Sequence, residues 1–328
     1  MLKRCLPVLA LVAAHCASAW ASGVGPHTAA ERYQAWRAAA AAVLVARADA
    51  HSLATAAALR HLAPAGPKAG AALTPTAVEL AARAAELAPQ NASIGWLHLQ
   101  LCAGTPACDI RDVATVMRWV DADNGAAWLQ TLTVAQRDRD TTEVDRILAD
   151  MAVGARFDFY WNRIVVLMVD ALDAVGYDLP GGFAASDASR LGLVSGIASS
   201  EVIPAFSALV EACKESSTLP ERRELCLKLS KAMQRSDTVA AQLAGFSLAR
   251  RLLSPDSKEA RNIAERRHVL EWRVAEAAKF DNPLLPWTRN ARARARLAQM
   301  RALPREEDVC IAILKEHKMA LDPPEVHP

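Results

Sequence analysis

The sequence predicts an all-α protein of stacked antiparallel helical hairpins, a solenoid-like array with additional helices at its C-terminal end. Three observations predict it. Trp96, Trp128 and Trp161 recur at intervals of 32 and 33 residues, each near the start of a helical stretch, and that period is the length of one helix pair with its turns. The 328 residues hold only six Phe and three Tyr. Alternating β-branched runs are nearly absent and Ala, Leu and Arg dominate, which favours helix over strand. Finally, Cys102 with Cys108 and Cys213 with Cys226 each straddle a turn signal, where a staple across a hairpin would sit.

Residues 1–21 read as a secretory signal peptide. Lys3 and Arg4 precede a short apolar core from Leu6 to Ala14, and Ala17-Ser18-Ala19 or Ala19-Trp20-Ala21 offers small residues for cleavage, the pattern of an export leader. The core is about half the roughly 20 residues a membrane helix needs. Cys16 invites a lipid anchor, but His15 stands where a small residue is required. High Ala and an Arg to Lys ratio of 29 to 9 point to a GC-rich bacterial genome, hence to the periplasm. Secretion is the alternative, under which Asn91-Ala92-Ser93 would be a glycosylation acceptor instead of a helix cap.

Residues 22–72 form an N-terminal helical segment, with one or two helices over 27–62 and Trp36, Val43, Leu44 and Leu53 as its buried positions. A Pro/Gly-rich connection at 64–70 ends it, and Thr74-Pro75 supplies a cap and first turn for the next helix. Residues 73–176 are the helical repeats. Asp140 with Glu143, and further on Thr218 with Glu221, have capping-box spacing. Residues 177–200, with Pro180-Gly181-Gly182 and many Ser and Gly, read as a flexible loop or boundary.

Residues 201–328 form a C-terminal helical domain. A stapled hairpin over 201–235 is followed by a helix capped by Ser236 or Asp237 and running to about Leu253. Ser254-Pro255 opens a long helix ending near Phe280, and two shorter ones span 288–302 and 304–319. In the last, Glu306, Glu307 and Asp308 near the start and Lys315, His317 and Lys318 near the end suit the helix dipole.

Cys102 and Cys108 are symmetric about Thr105, and Cys213 and Cys226 about Leu219-Pro220. Residues equidistant from the turn of a helix pair face one another, so the expected disulfides are Cys102–Cys108 and Cys213–Cys226. No histidine accompanies either pair at ligand spacing, so no metal is expected. Cys310, within an apolar stretch, reads as a buried structural thiol.

Without Lys3 and Arg4 the remaining 36 basic residues equal the 36 acidic ones, which argues against a nucleic-acid partner. Residues 250–301 nevertheless hold 13 basic and 6 acidic side chains. Arg289, Arg292 and Arg296 share one helical face there, with Arg294 and Arg301 on another. The simpler reading is a solvated helix surface. The functional one is a grip on carboxylate or phosphate, with a protein partner or an anionic envelope component as the ligand.

The 75–176 region resembles the tetratricopeptide repeat family. The resemblance rests on Trp96-Leu97 and Trp128-Leu129, the turn regions at Pro89 and Asp123, and the period. The family's glycine is replaced by Gln100 or Leu132, and its following aromatic by Ala103 or Ala135. The resemblance implies a scaffold that binds partners on a concave helical face, with Trp96 and Trp128 as core wedges between hairpins.

No zinc-helix, nucleophile-elbow, phosphate-loop or Cys-x-x-Cys motif occurs, and no cofactor is expected. His268 with Glu271 and, for a glycan-cleaving hydrolase of the cell envelope with its site near the 177–201 loop, Glu201 are the only acid–base candidates. The sequence therefore predicts an exported scaffold or adaptor first and that hydrolase second.

Overall fold

The computed structural model describes residues 28–61, 75–103, 105–175, 186–214, 220–280 and 286–324. The proposed leader, the 64–70 connection, Thr74, Pro180-Gly181-Gly182 and Thr218 lie outside them. Among the described residues the protein is all-α: fifteen α-helices, one 3-10 turn and no strand beyond an isolated Asn124–Arg156 bridge. No described helix is long and apolar enough to cross a membrane.

Helices α1 (Ala29–Arg47), α2 (Ala50–His61), α3 (Ala77–Leu87), α4 (Ala92–Ala103) and α5 (Ile110–Val120) each pack on the next. The 3-10 turn Gly125–Trp128 leads into α6 (Leu129–Arg137) and α7 (Thr141–Val153). Helix α8 (Trp161–Asp173) then runs through the middle, against α1, α2 and α4 on one side and against α9 (Asp187–Glu201) and α14 (Pro286–Ala302) on the other. Helix α11 (Pro220–Met233), which follows α10 (Ser207–Lys214), packs on α7 and on α12 (Val239–Leu252). Helices α13 (Lys258–Lys279) and α15 (Glu306–Glu316) close the end. An open row of repeats would bring each unit into contact only with its neighbours; here α8 bridges helices from both halves.

The expected staples are present. Cys102–Cys108 joins α4 to the turn before α5, and Cys213–Cys226 joins α10 to α11. Trp36, Leu44 and Leu53 are buried as expected, whereas Val43 is 38% exposed. Trp96 is fully buried, and its indole N–H donates to the Val202 carbonyl at 3.0 Å. Trp128, expected as a second wedge, is only half-buried.

Several helix starts differ from the sequence reading. Thr76, not Thr74-Pro75, caps α3, because only Thr76 has Glu79 three residues on to complete the capping box. Thr238 and Ser257, not Ser236 or Asp237 and not Ser254-Pro255, cap α12 and α13. The described part of the predicted 177–200 loop is helix α9. Arg190, Val194, Ile197 and Ala198 recur at helical spacing and are buried, while Gly192 and Gly196 stand exposed on the outer face, where they open no cavity.

Asp237 does other work. Its side chain is buried and accepts from the backbone N–H of Phe159 at 2.8 Å and Trp161 at 3.1 Å, thereby capping α8 from a distant part of the chain. Its carbonyl accepts from Glu306 N–H at 2.8 Å, and Glu306 in turn caps Val239 N–H at 2.7 Å. Tyr160, in between, has a φ of 59°, a left-handed conformation unfavourable for a bulky residue. Its hydroxyl is held by Asn124, 3.0 Å away, and by Asp121.

Burial, helped by the neighbouring Asp158 carboxylate, pushes the Asp237 carboxyl up to about 7 against the pull of the backbone donors. An unfolded Asp titrates near 4, so between about pH 4 and 7 the folded protein holds the extra proton and unfolding becomes easier as pH rises. Urea titrations at pH 4.5 and 7.5 should show that slope flattened in Asp237→Asn relative to the natural protein. For the staples, the Cys213–Cys226 loop has twice the sequence separation of Cys102–Cys108, 13 against 6. Each doubling of a loop is worth about 0.6 kcal/mol, so the Cys213→Ser/Cys226→Ser pair should lose that much more stability than Cys102→Ser/Cys108→Ser in the same titration.

Candidate functional site

A groove of about 730 Å³ lies where four distant stretches meet. One wall is the turn between α3 and α4. There Asn91 N–H closes on the Ala88 carbonyl at 2.9 Å, and the Asn91 side chain accepts from Ser93 and Ile94 N–H at 3.1 and 3.3 Å. Asn91 is thus a helix cap. Helix α8 supplies Arg163, Val166, Leu167 and Asp170, whose 3, 4 and 7 spacing places them on one face. Met300 and Arg301 of α14 and His51 of α2 complete the lining.

The groove has an apolar floor and a cationic rim. Leu167 and Met300 are buried beneath it. Asp170, its one carboxylate, is ion-paired with Arg301 across the gap. Arg163 is exposed and makes no hydrogen bond or ion pair with a described residue. The arrangement has a guanidinium free to take an acceptor, beside apolar surface, and no converging pair of carboxylates for acid–base work.

The predicted arginine face is distributed differently. The Arg289 side chain lies outside the described residues. Arg292 donates to the Phe280 carbonyl at 3.0 Å, tying α14 to the end of α13, and Arg296 is half-buried. Arg294 bonds Asp187 at 2.5 Å, tying α14 to the start of α9. Of the arginines of this helix whose side chains are described, only Arg301 lines the groove.

The acid–base candidates lie elsewhere. Glu201 is buried and bonded to His61 Nδ1, joining the ends of α2 and α9, and the hydrogen bond to this carboxylate raises the His61 pKa against the opposing effect of burial. It lines no part of the groove. His268 is exposed, while Glu271 is taken by Arg267 at 2.8 Å. Cys310 is half-buried against the core. Among the described residues, no three His, Cys, Asp or Glu side chains are grouped to hold a metal.

Compared with protein families, curated proteins and solved structures, the chain gives no match.

A second feature escaped the sequence reading. On α5, Ala114 and Met117 face the core, leaving Trp119 87% and Val116 62% exposed. The helix is anchored by the Cys102–Cys108 disulfide just ahead of it and by the Asp109 cap on Arg111 N–H at 2.9 Å. The signal was present as Val116 and Trp119 three residues apart, but it competes with the Ile110, Val113, Ala114, Met117 stripe that packs on the core, and the sequence alone does not rank them.

Trp119→Ala should change unfolding stability by no more than about 0.5 kcal/mol, as for other exposed positions. Trp96→Ala should cost about 3–5 kcal/mol through the cavity it leaves. Chemical denaturation of the two variants side by side measures both.

Proposed function

We propose that this chain is an exported helical scaffold that binds an acidic, partly apolar segment of a partner protein in the groove between α2, α8, α14 and the α3–α4 turn. The observation that carries this reading is the composition of the groove: an apolar floor, an unpaired Arg163 on the rim, and a single carboxylate already bonded to Arg301. An arginine beside apolar contact area is the composition of interface anchors.

Export is supported by the leader-like residues 1–21 and by two disulfides, which persist in oxidising compartments such as the periplasm. The tetratricopeptide-like repeat period supports the scaffold part of the reading. In that family's architecture the binding face is a row of hairpins, whereas the groove here is assembled around α8.

Position-specific photo-crosslinking tests it. A photoreactive residue at Gln90, on the groove, is expected to trap a discrete partner in the intact envelope, and the same label at exposed Glu265 on α13 is not. Adding Arg163→Glu should reduce the Gln90 adduct at least ten-fold. Equal labelling at both positions, or an adduct indifferent to Arg163, overturns the proposal.

A further inference from the structure

Three helix starts converge on two carboxyls. Asp237, just ahead of Thr238 and α12, is 5% exposed and accepts from Phe159 N–H at 2.8 Å and Trp161 N–H at 3.1 Å, at the start of α8. Glu306, the first residue of α15, is half-buried. Its N–H donates to the Asp237 carbonyl at 2.8 Å, and its Oε2 accepts from Val239 N–H, two residues past Asp237, at 2.7 Å. Just ahead of this junction the Leu303 carbonyl accepts from Asn162 Nδ2 of α8 at 2.8 Å, which holds the end of α14 in place.

Among the described residues no cation is paired with either carboxyl. Arg305 turns to Glu307 at 2.8 Å and Asp308 at 3.9 Å, and Arg273 of α13 holds Glu307 at 2.9 Å and Asp322 at 3.0 Å. Ahead of α8, Arg156 is taken by Asp158 at 3.1 Å and by Asp121, which also holds the Tyr160 hydroxyl. Arg266 of α13 donates to Gln234 at 3.1 Å, Lys231 of α11 pairs with Glu259 at 3.7 Å, and Arg235 is exposed. Arg163 of α8 lies on the groove, and Arg301 of α14 is bonded to Asp170. The charge that does face the pair is a third carboxylate, Asp158, whose Oδ1 accepts from Asp237 N–H at 3.1 Å. Carboxyls drawn from water beside one another, with no cation, disfavour the doubly ionised state. Burial pushes both Asp237 and Glu306 up to about 7; Asp158 adds to the effect on Asp237, and Asp237 to that on Glu306.

We infer that Asp237 and Glu306 form a proton-operated clasp on the C-terminal helices. While the pair holds its protons, the start of α15 stays docked on the starts of α12 and α8. When both ionise, the half-buried Glu306 turns to water, Val239 N–H loses its acceptor, and the first turn of α15 loosens together with the 303–305 link. In an opened junction both carboxyls titrate near 4. The closed clasp therefore binds protons that opening releases, so opening becomes easier as pH rises from about 4 to 7 and levels off above. The 303–305 link joins α15 to α14, whose Met300 and Arg301 line the groove, so loosening it frees one wall. That last step rests on the groove reading above; the clasp itself does not.

Residue-resolved amide hydrogen exchange of the purified chain, at pH 5.0 and 7.5 and in low urea, tests the clasp without any partner. After correction for the intrinsic effect of pH, protection of Val239, Leu303 and Val309 N–H is expected to fall at least ten-fold from pH 5.0 to 7.5. Their exchange should also depend on urea far less than that of the slowest amides, the mark of a local opening. Glu306→Gln, which keeps an acceptor for Val239 N–H, should reduce the fall to about three-fold or less. It also separates the clasp from the His61–Glu201 bond, another contact that acidity strengthens. A ten-fold fall retained in Glu306→Gln overturns the assignment to this pair. Amides at 239, 303 and 309 that follow the slowest ones in both pH and urea dependence also overturn it, the carboxyls then acting on the whole fold. For the groove, the Gln90 adduct should be at least three-fold more abundant at pH 5.0 than at 7.5, and Glu306→Gln should remove the difference. An adduct equal at both pH values overturns the link to the groove. No adduct at either pH overturns the groove reading and the link with it, while the exchange result decides the clasp on its own.

Discussion

The buried carboxylate of Asp237 is the constraint on which the arrangement of the helices depends. It caps the start of α8 through Phe159 and Trp161 N–H, and its own backbone carbonyl receives Glu306 N–H. Three stretches some 70–80 residues apart in sequence are therefore fixed to one another at a single residue. A helix start leaves four backbone N–H groups without partners. Burying α8 in the middle of the molecule is feasible only because that end is met by a side chain from another element. The left-handed Tyr160 is tolerated there for the same reason, since Asn124 and Asp121 hold its hydroxyl.

Fixing α8 has a structural consequence for the surface. In a plain row of hairpins the inner faces of α2 and α4 would remain open, but here α8 and α9 lie against them, and Trp96 reaches across to the Val202 carbonyl. The concavity that remains is formed where the flank of α8 meets the α3–α4 turn and the end of α14. Its residues come from positions 51, 88–93, 163–170 and 300–301. No window of sequence contains that combination, so the groove was invisible to a reading that follows spacing along the chain.

What the sequence does encode is local. Both disulfides, the Asn91 cap and the helical character of the N-terminal segment were legible because each depends on residues within about a dozen positions of one another. The misplaced helix starts show the limit. At 74–76 and 236–238 two or three adjacent residues can all cap a helix, and the choice is made by what else they touch: Glu79 completes the box for Thr76, while Asp237 is drawn away to α8 and leaves the role to Thr238. The 187–200 segment was misread from its Ser and Gly content, although the buried positions 190, 194, 197 and 198 carry a helical period. The arginines of α14 were read as shared faces, yet Arg292 and Arg294 bond to neighbouring elements, partners that only the tertiary structure supplies.

The two clearest copies of the repeated tryptophan mark the difference between a repeat's architecture and its use. Trp96 is a wedge, fully buried with its N–H satisfied. Trp128 ends the 3-10 turn ahead of α6 and lies at the edge of the core, its ring face covered by the guanidinium groups of Arg118 and Arg146. Arginines stacked on an indole lose side-chain freedom before any ligand arrives, which lowers the ordering cost of a later contact. Trp96 is thus core packing, whereas Trp128, 32 residues on, is a platform that holds charged side chains at the surface. The burial and the neighbours of each tryptophan, and not its spacing, distinguish the two.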